Sequence, residues 1–229
     1  MKMMLLFVLF WTNIPAIAQK KIERKLNLLP GQEVDLDLKF ADSIQVKYWD
    51  RPEVYVVADV KINNGRLNDA LLVKTSETKQ AVKLAIDLDS KLLQQGEAED
   101  CPDNKTAISK KGNLQFVTCM ELRYEVYLPR QASLRLSTIN GNIHIEGSGA
   151  PVFVKTISGF VDMSWPASKG ADLSLRSITG EVYSDLAIRF ADEKKKNPIV
   201  GYNIKGSAKG GGPLLHLESV SNDIYLRSK

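Results

Sequence analysis

The chain has 229 residues, 44% apolar and 25% charged, with 31 Lys and Arg against 27 Asp and Glu for a formal charge of +4. That is enough chain for one large domain or two small ones with a real core. It excludes a disordered tail, a collagen-like repeat and a disulfide-dense miniprotein. Two Cys, two His and 7% aromatic residues leave little material for a metal centre built from several soft ligands, and no cofactor is expected.

In chain order, Met1-Lys2 supplies a positive charge and residues 3–11 form an apolar run of nine. Pro15 then breaks the run, and Ala16-Ile17-Ala18 offers small residues to a signal peptidase. Residues 1–18 are predicted to be a secretory signal peptide cut between Ala18 and Gln19. Nine apolar residues fall short of the roughly 20 needed to span a bilayer, and no Cys follows the cut to carry a lipid. The expected product is exported (periplasmic, outer-membrane-associated or secreted) and not an integral membrane protein. Losing Lys2 lowers its formal charge to +3.

From residue 21 to residue 128 the apolar positions alternate. Val34-Asp35-Leu36-Asp37-Leu38, Ile44-Gln45-Val46-Lys47-Tyr48, Leu84-Ala85-Ile86-Asp87-Leu88 and residues 122–128 each read as a strand with one buried face. Pro30-Gly31, Asp50-Arg51-Pro52, Asn63-Asn64-Gly65 and Lys111-Gly112-Asn113 read as turns. Only residues 68–73 suggest a turn of helix, so the class is all-β. In an oxidising compartment Cys101 and Cys119 are the available pair, and a bridge between them would staple a polar excursion to the next strand.

Residues 131–229 hold an internal repeat. LRLSTINGNIHI (134–145), VFVKTISGFVDM (152–163), LSLRSITGEVYS (173–184) and LHLESVSNDIYL (215–226) align without gaps. Gly141, Gly159 and Gly180 occupy one site, 18 and 21 residues apart, and Asn222 lies 42 further on. A period near 20 with two short strands per unit predicts a parallel β-solenoid. Leu136, Val154, Leu175 and Leu217 would stack as one internal ridge. Ile143, Val161, Val182 and Ile224 would form a second. The corner site calls for a residue that tolerates positive φ, and Thr138, Thr156, Ser177 and Ser219 would form a hydroxyl ladder beside it. A hairpin-based sandwich is the alternative, since Asn140-Gly141 also suits a hairpin turn. Residues 19–130 then form a β-rich region packed on the solenoid or continuing it, as one globular unit with it.

The repeated Ser/Thr-Ile-x-Gly-x-Ile/Val block and the closing Ile224-Tyr225-Leu226-Arg227 resemble the bacterial putative-adhesin family. The Trp49-Asp50 unit between two strands also resembles that family, and Gly210-Gly211-Gly212-Pro213 resembles versions from Bacteroidetes-type bacteria. The resemblance covers about residues 40–228. It implies an exported β-repeat protein of unassigned function, with no catalytic residues to carry over.

The remaining chemistry is sparse. His144 and His216 fall on outward strand positions without a nucleophile nearby. Asp162 and Glu181, on successive repeats, could mimic the paired carboxylates of a glycosidase. Asp35/Asp37 and Asp87/Asp89 are the only acidic pairs suggestive of Ca²⁺. The glycine run at 210–212 is not followed by Lys-Ser/Thr, so it is no phosphate loop. The excursion at 190–213, with Lys194, Lys195, Lys196 and Tyr202, is the largest break in the repeat and a candidate binding loop. The favoured reading is a non-enzymatic adhesin-like protein that binds or scaffolds at the cell envelope, its partner an envelope protein, a glycan or a lipid surface. The alternative is a carbohydrate-active β-solenoid enzyme. With no basic stripe, nucleic acid is not expected as a partner.

Overall fold

The computed structural model describes residues 19–101, 107–111, 114–191 and 202–229. The expected signal peptide up to Ala18 and the loop lysines Lys194, Lys195 and Lys196 lie outside the described residues.

The alternating segments form strands β1 (Lys20–Asn27), β2 (Glu33–Asp37), β3 (Ser43–Trp49) and β4 (Glu53–Ile62). Beyond two single 3₁₀ turns at residues 63–70 come β5 (Leu71–Glu77) and β6 (Ala81–Leu88). A one-turn helix α1 (Ser90–Leu93) follows, its N-terminus capped by Asp89. Then come β7 (Ala107–Lys111), β8 (Leu114–Thr118) and β9 (Met120–Pro129). The repeats supply β10 (Ser133–Asn140) and β11 (Asn142–Glu146), β12 (Val152–Ser158) and β13 (Val161–Trp165), β14 (Ala171–Ser177) and β15 (Val182–Ser184). Last are β16 (Ile188–Phe190), β17 (Tyr202–Ala208), β18 (Leu214–Ser219) and β19 (Ile224–Ser228).

Two large sheets and a hairpin result. The first sheet runs β1-β4-β9-β3-β11-β13-β19-β15, the second runs β16-β17-β14-β18-β12-β10-β2-β6-β5, and β7 pairs only with β8. Each repeat puts one strand in each sheet, so Asn140-Gly141 turns the chain between sheets and does not close a hairpin. Pairing is parallel across β14-β18-β12-β10-β2-β6 and across β15-β19-β13-β11-β3-β9. Antiparallel strands flank both blocks: β17 on β14, β16 on β17, β5 on β6, β4 on β9 and β1 on β4. The fold is therefore all-β with mixed, open sheets, and the expected all-parallel solenoid over 131–229 is corrected on that point. The order also departs from sequence. The last repeat, β18–β19, lies between the second and the third.

Alternation explains the core. Leu84, Leu36, Leu136, Val154, Leu217 and Leu175 stand in one cross-strand row, all at most 1% exposed. Facing them are Tyr124, Ile44, Ile143, Val161 and Ile224 in register across the first sheet, each buried. Burying a side chain of this size contributes about 1.5–3 kcal/mol, so the two ridges hold the sheets together. The strands β2 and β3 belong to this stack as a further repeat. Their turn is one residue longer than that of β10–β11, with Phe40 at φ 61°, which hides the repeat from a gapless alignment.

The corners differ from expectation in their cause. Gly141 has φ +126°, but Gly180 and Asn222 do not adopt positive φ. Crowding between stacked corners is the common constraint. A Cβ on Gly159 would lie 2.1 Å from the Gly141 carbonyl oxygen, and one on Gly180 would lie 2.4 Å from the Asn222 carbonyl carbon. The buried hydroxyls reach corner carbonyls of the adjacent repeat and do not bond one another. Thr138 donates to Leu38 O at 2.7 Å, Ser177 to Asn222 O at 2.9 Å and Ser219 to Gly159 O at 2.9 Å. Thr156 Oγ1 is buried without a partner.

Cys101 and Cys119 are disulfide-bonded, with Cα atoms 5.8 Å apart. Beside the bridge, Asp100 is bracketed by Arg66, Asn63 Nδ2 (3.2 Å) and the Glu97 amide (3.0 Å). The Arg66 guanidinium, more than any other neighbour, holds the Asp100 carboxyl far below the usual carboxylate range.

Candidate functional site

The outer face of the first sheet collects seven aromatic rings that the core does not use. Side chains alternate across a strand, so the residues between the buried Ile143, Val161 and Ile224 point outward. At the β13-β19-β15 end, Tyr183 stacks on Tyr225 with centroids 5.2 Å apart and planes 10° from parallel. Phe160 meets Tyr225 edge-on at 6.2 Å, and His144 meets Phe160 edge-on at 5.0 Å. At the β4-β9-β3 end, Trp49, Tyr55 and Tyr127 form a second group, with centroids 5.2–6.1 Å apart. His144, on β11, brings the first group to the strand beside β3. From β4 to β15 the strand spacing makes a band about 29 Å long.

Carboxylates fix the phenols. Tyr183 donates to Glu181 at 2.6 Å, Tyr225 to Asp223 at 3.0 Å and Tyr127 to Glu125 at 2.8 Å. Each hydrogen bond to a carboxylate disfavours the phenolate, so Tyr183 is pushed up to about 12, and Tyr225 and Tyr127 are raised. Glu23 raises Tyr55 in the same way. The band is thus made of neutral phenols with fixed orientation. It escapes a search for catalytic motifs, yet a local signal exists: Glu125-Val126-Tyr127, Glu181-Val182-Tyr183 and Asp223-Ile224-Tyr225 are one acid-apolar-Tyr pattern on strands.

Two candidates from the sequence fall in this band. His144 packs against Phe160, and Asp162 pairs with Arg227 Nε at 2.8 Å. Asp162 and Glu181 are not on adjacent strands as expected, because β19 lies between β13 and β15. His216 is on the other sheet, stacked on Phe153 at 4.4 Å, with Ser174 Oγ 3.1 Å from its Nδ1. Asp35 pairs with Lys83 at 2.9 Å, Asp37 with Lys39 at 3.6 Å and Asp87 with Lys74 at 3.0 Å. With Asp89 spent on its helix cap, each of these carboxylates has a partner within the fold. Tyr202 opens β17. The glycine run packs its backbone against the turn before β14, where a Cβ on Gly212 would lie 2.6 Å from Gly170 O.

No helix among the described residues is long and apolar enough to cross a membrane. No family model matches the chain, and no curated protein matches it. Solved structures do. A "putative cell adhesion protein" from Clostridium sporogenes aligns over 93% of this chain and 100% of its own at 11% identity, with a TM-score of 0.54. A "putative adhesin" from Bacteroides fragilis covers 93% and 99% at 10% identity with a TM-score of 0.32. A "putative lipid binding protein" from Parabacteroides distasonis covers 91% and 96% at 10% identity with a TM-score of 0.23. This chain shares the fold of the Clostridium protein.

Proposed function

We propose that this protein is an exported, non-enzymatic adhesin-like binder that works at the cell envelope as a single unit of residues 19–229 once residues 1–18 are removed. Its binding surface is the outer face of the first sheet, and its partner is an extended saccharide polymer lying across the strands. The observation that carries this reading is the aromatic band, with phenols and a pair of parallel rings held in fixed orientation outside the core. Aromatic side chains combine apolar faces with polar tips, which suits ligands that are themselves amphipathic. The disulfide favours an oxidising compartment.

The test is retention of the purified protein on insoluble envelope and host polysaccharides. Wild type is expected to be retained, and Tyr183→Ala combined with Tyr225→Ala to be washed off, with no reducing sugar released in either case. Release of reducing ends would instead establish the carbohydrate-active alternative, and equal retention of the double variant would move the surface elsewhere.

A further inference from the structure

The two ends of the aromatic band differ in charge. At the β13-β19-β15 end the groups beside the rings are Glu181, Asp223 and Asp162, with one cation, Arg227, which pairs with Asp162 and lies 5.0 Å from the Tyr225 centroid. At the β4-β9-β3 end, cations stand over the rings. Lys25 Nζ is 5.6 Å from the Tyr55 centroid, Lys47 Nζ 5.7 Å from Tyr127 and the Arg51 guanidinium 4.8 Å from Trp49.

We propose that the Trp49–Tyr55–Tyr127 platform, with Lys25, Lys47 and Arg51, binds the acidic residues of an anionic polysaccharide. This rests on the binder reading above and names its substrate class. Register builds the platform: Lys25 faces Tyr55, Tyr55 faces Tyr127 and Tyr127 faces Lys47 across four adjacent strands. The Trp49 and Tyr55 planes lie within 9° of each other, and Trp49 is oriented by its Nε1 donating to Glu53 O at 2.9 Å. Three rings so placed form a fixed aromatic floor beneath the three cations. Both lysines are exposed and form no ion pair among the described residues, while Arg51 reaches Glu53 only at 4.0 Å. Glu125 and Glu23 lie nearby and keep their negative charge, but neither forms an ion pair with Lys25 or Lys47 among the described residues. A cation without a carboxylate partner is available for a charge-assisted hydrogen bond to a sugar carboxylate or sulfate. A lipid surface fits less well. None of the exposed large hydrophobic side chains among the described residues lies on β1, β3, β4 or β9, and insertion at a bilayer interface needs such side chains.

The experiment follows Trp49 fluorescence and binding by the purified protein with four probes: polygalacturonate, heparin, dextran and phosphatidylglycerol vesicles. Polygalacturonate or heparin is expected to bind, more weakly as salt rises, with dextran at least about tenfold weaker. Lys25→Glu with Lys47→Glu should lose at least about tenfold in affinity at unchanged Tm, and Tyr127→Ala should lose affinity as well. If dextran binds equally and Tyr183→Ala with Tyr225→Ala weakens it, the binder reading stands and the acidic assignment falls. Wild-type affinity in the lysine double variant overturns the platform alone. Binding to vesicles and to no polymer overturns both, as does binding to none of the four.

Discussion

Gly159 shows how one atom can decide whether two repeats stack. Its missing Cβ would meet the Gly141 carbonyl oxygen at 2.1 Å, a backbone atom that can move only if the neighbouring corner moves. Gly31 is the natural control. It has φ +84° with nothing within 4 Å of a built Cβ, so alanine there meets only backbone strain of about 1–2 kcal/mol. Gly159→Ala is expected to cost at least the upper part of the roughly 1–3 kcal/mol range for overpacking, and to lower Tm more than Gly31→Ala. Equal losses in thermal unfolding would mean that conformation, and not crowding, selects glycine at the corner. The identity of the corner residues was legible in the sequence because the same types recur. The reason for them was not, since the clash is with another repeat. The corner aliphatics were misleading in the opposite sense: Ile139 and Ile157 recur like core residues but are 36% and 44% exposed.

At the scale of elements, strand identity followed from alternation with little ambiguity, because a half-buried strand imposes period two on its sequence. Pairing followed within the repeats, where Leu136 meets Val154 and Ile143 meets Val161, but not outside them. Val34–Leu38 and Ile44–Tyr48 carry no mark that they stack on β10 and β11, roughly a hundred residues later, and the longer turn at Phe40 conceals the kinship. The aromatic band was illegible for a related reason: its rings come from six strands and the turn before β13, and meet only through register. The stapled excursion makes a prediction of its own. Asp100 titrates well below its unfolded value near 3.9, so its contribution to stability is fully present above that value. It is lost as pH falls from about 4 through the depressed folded value. Arg66→Ala should raise the Asp100 carboxyl and move acid unfolding to higher pH. Indistinguishable acid transitions in the variant and wild type would show that the bracket is not coupled to folding. Reduction of Cys101–Cys119 is expected to act on the same element, at about 3 kcal/mol for a loop of this size.

For the whole molecule, the place of the last repeat matters most. β18 and β19 supply both neighbours that the third repeat has in the parallel stack and complete the second. Leu217→Asp would put a charge in the ridge at a position that is 0% exposed. Hydrogen exchange is expected to show β14, β15 and β17 losing protection together with β18 and β19, while β2, β3, β10 and β11 keep theirs. Protection of β14 that survived the substitution would mean that its antiparallel partner β17 alone holds it. A tally of repeats could not have revealed this arrangement, since the similarity of the four units is the same whatever their order.

That order has a consequence for folding as the chain is made. A polypeptide emerging from its N-terminus delivers β14 and β15 before the strands that will separate them from β12 and β13. Until β18 and β19 emerge, the third repeat, with a matching ridge and corner, meets the exposed edge of β12 and β13 without its competitor. The third repeat can therefore dock in the fourth repeat's berth, a near-cognate mistake that the sequence similarity itself invites. The antiparallel β14–β17 pair, formed before the final repeat arrives, engages the third repeat on its far side. That pairing leaves the near edge of β14 free, so the berth is filled correctly only when β18 takes it.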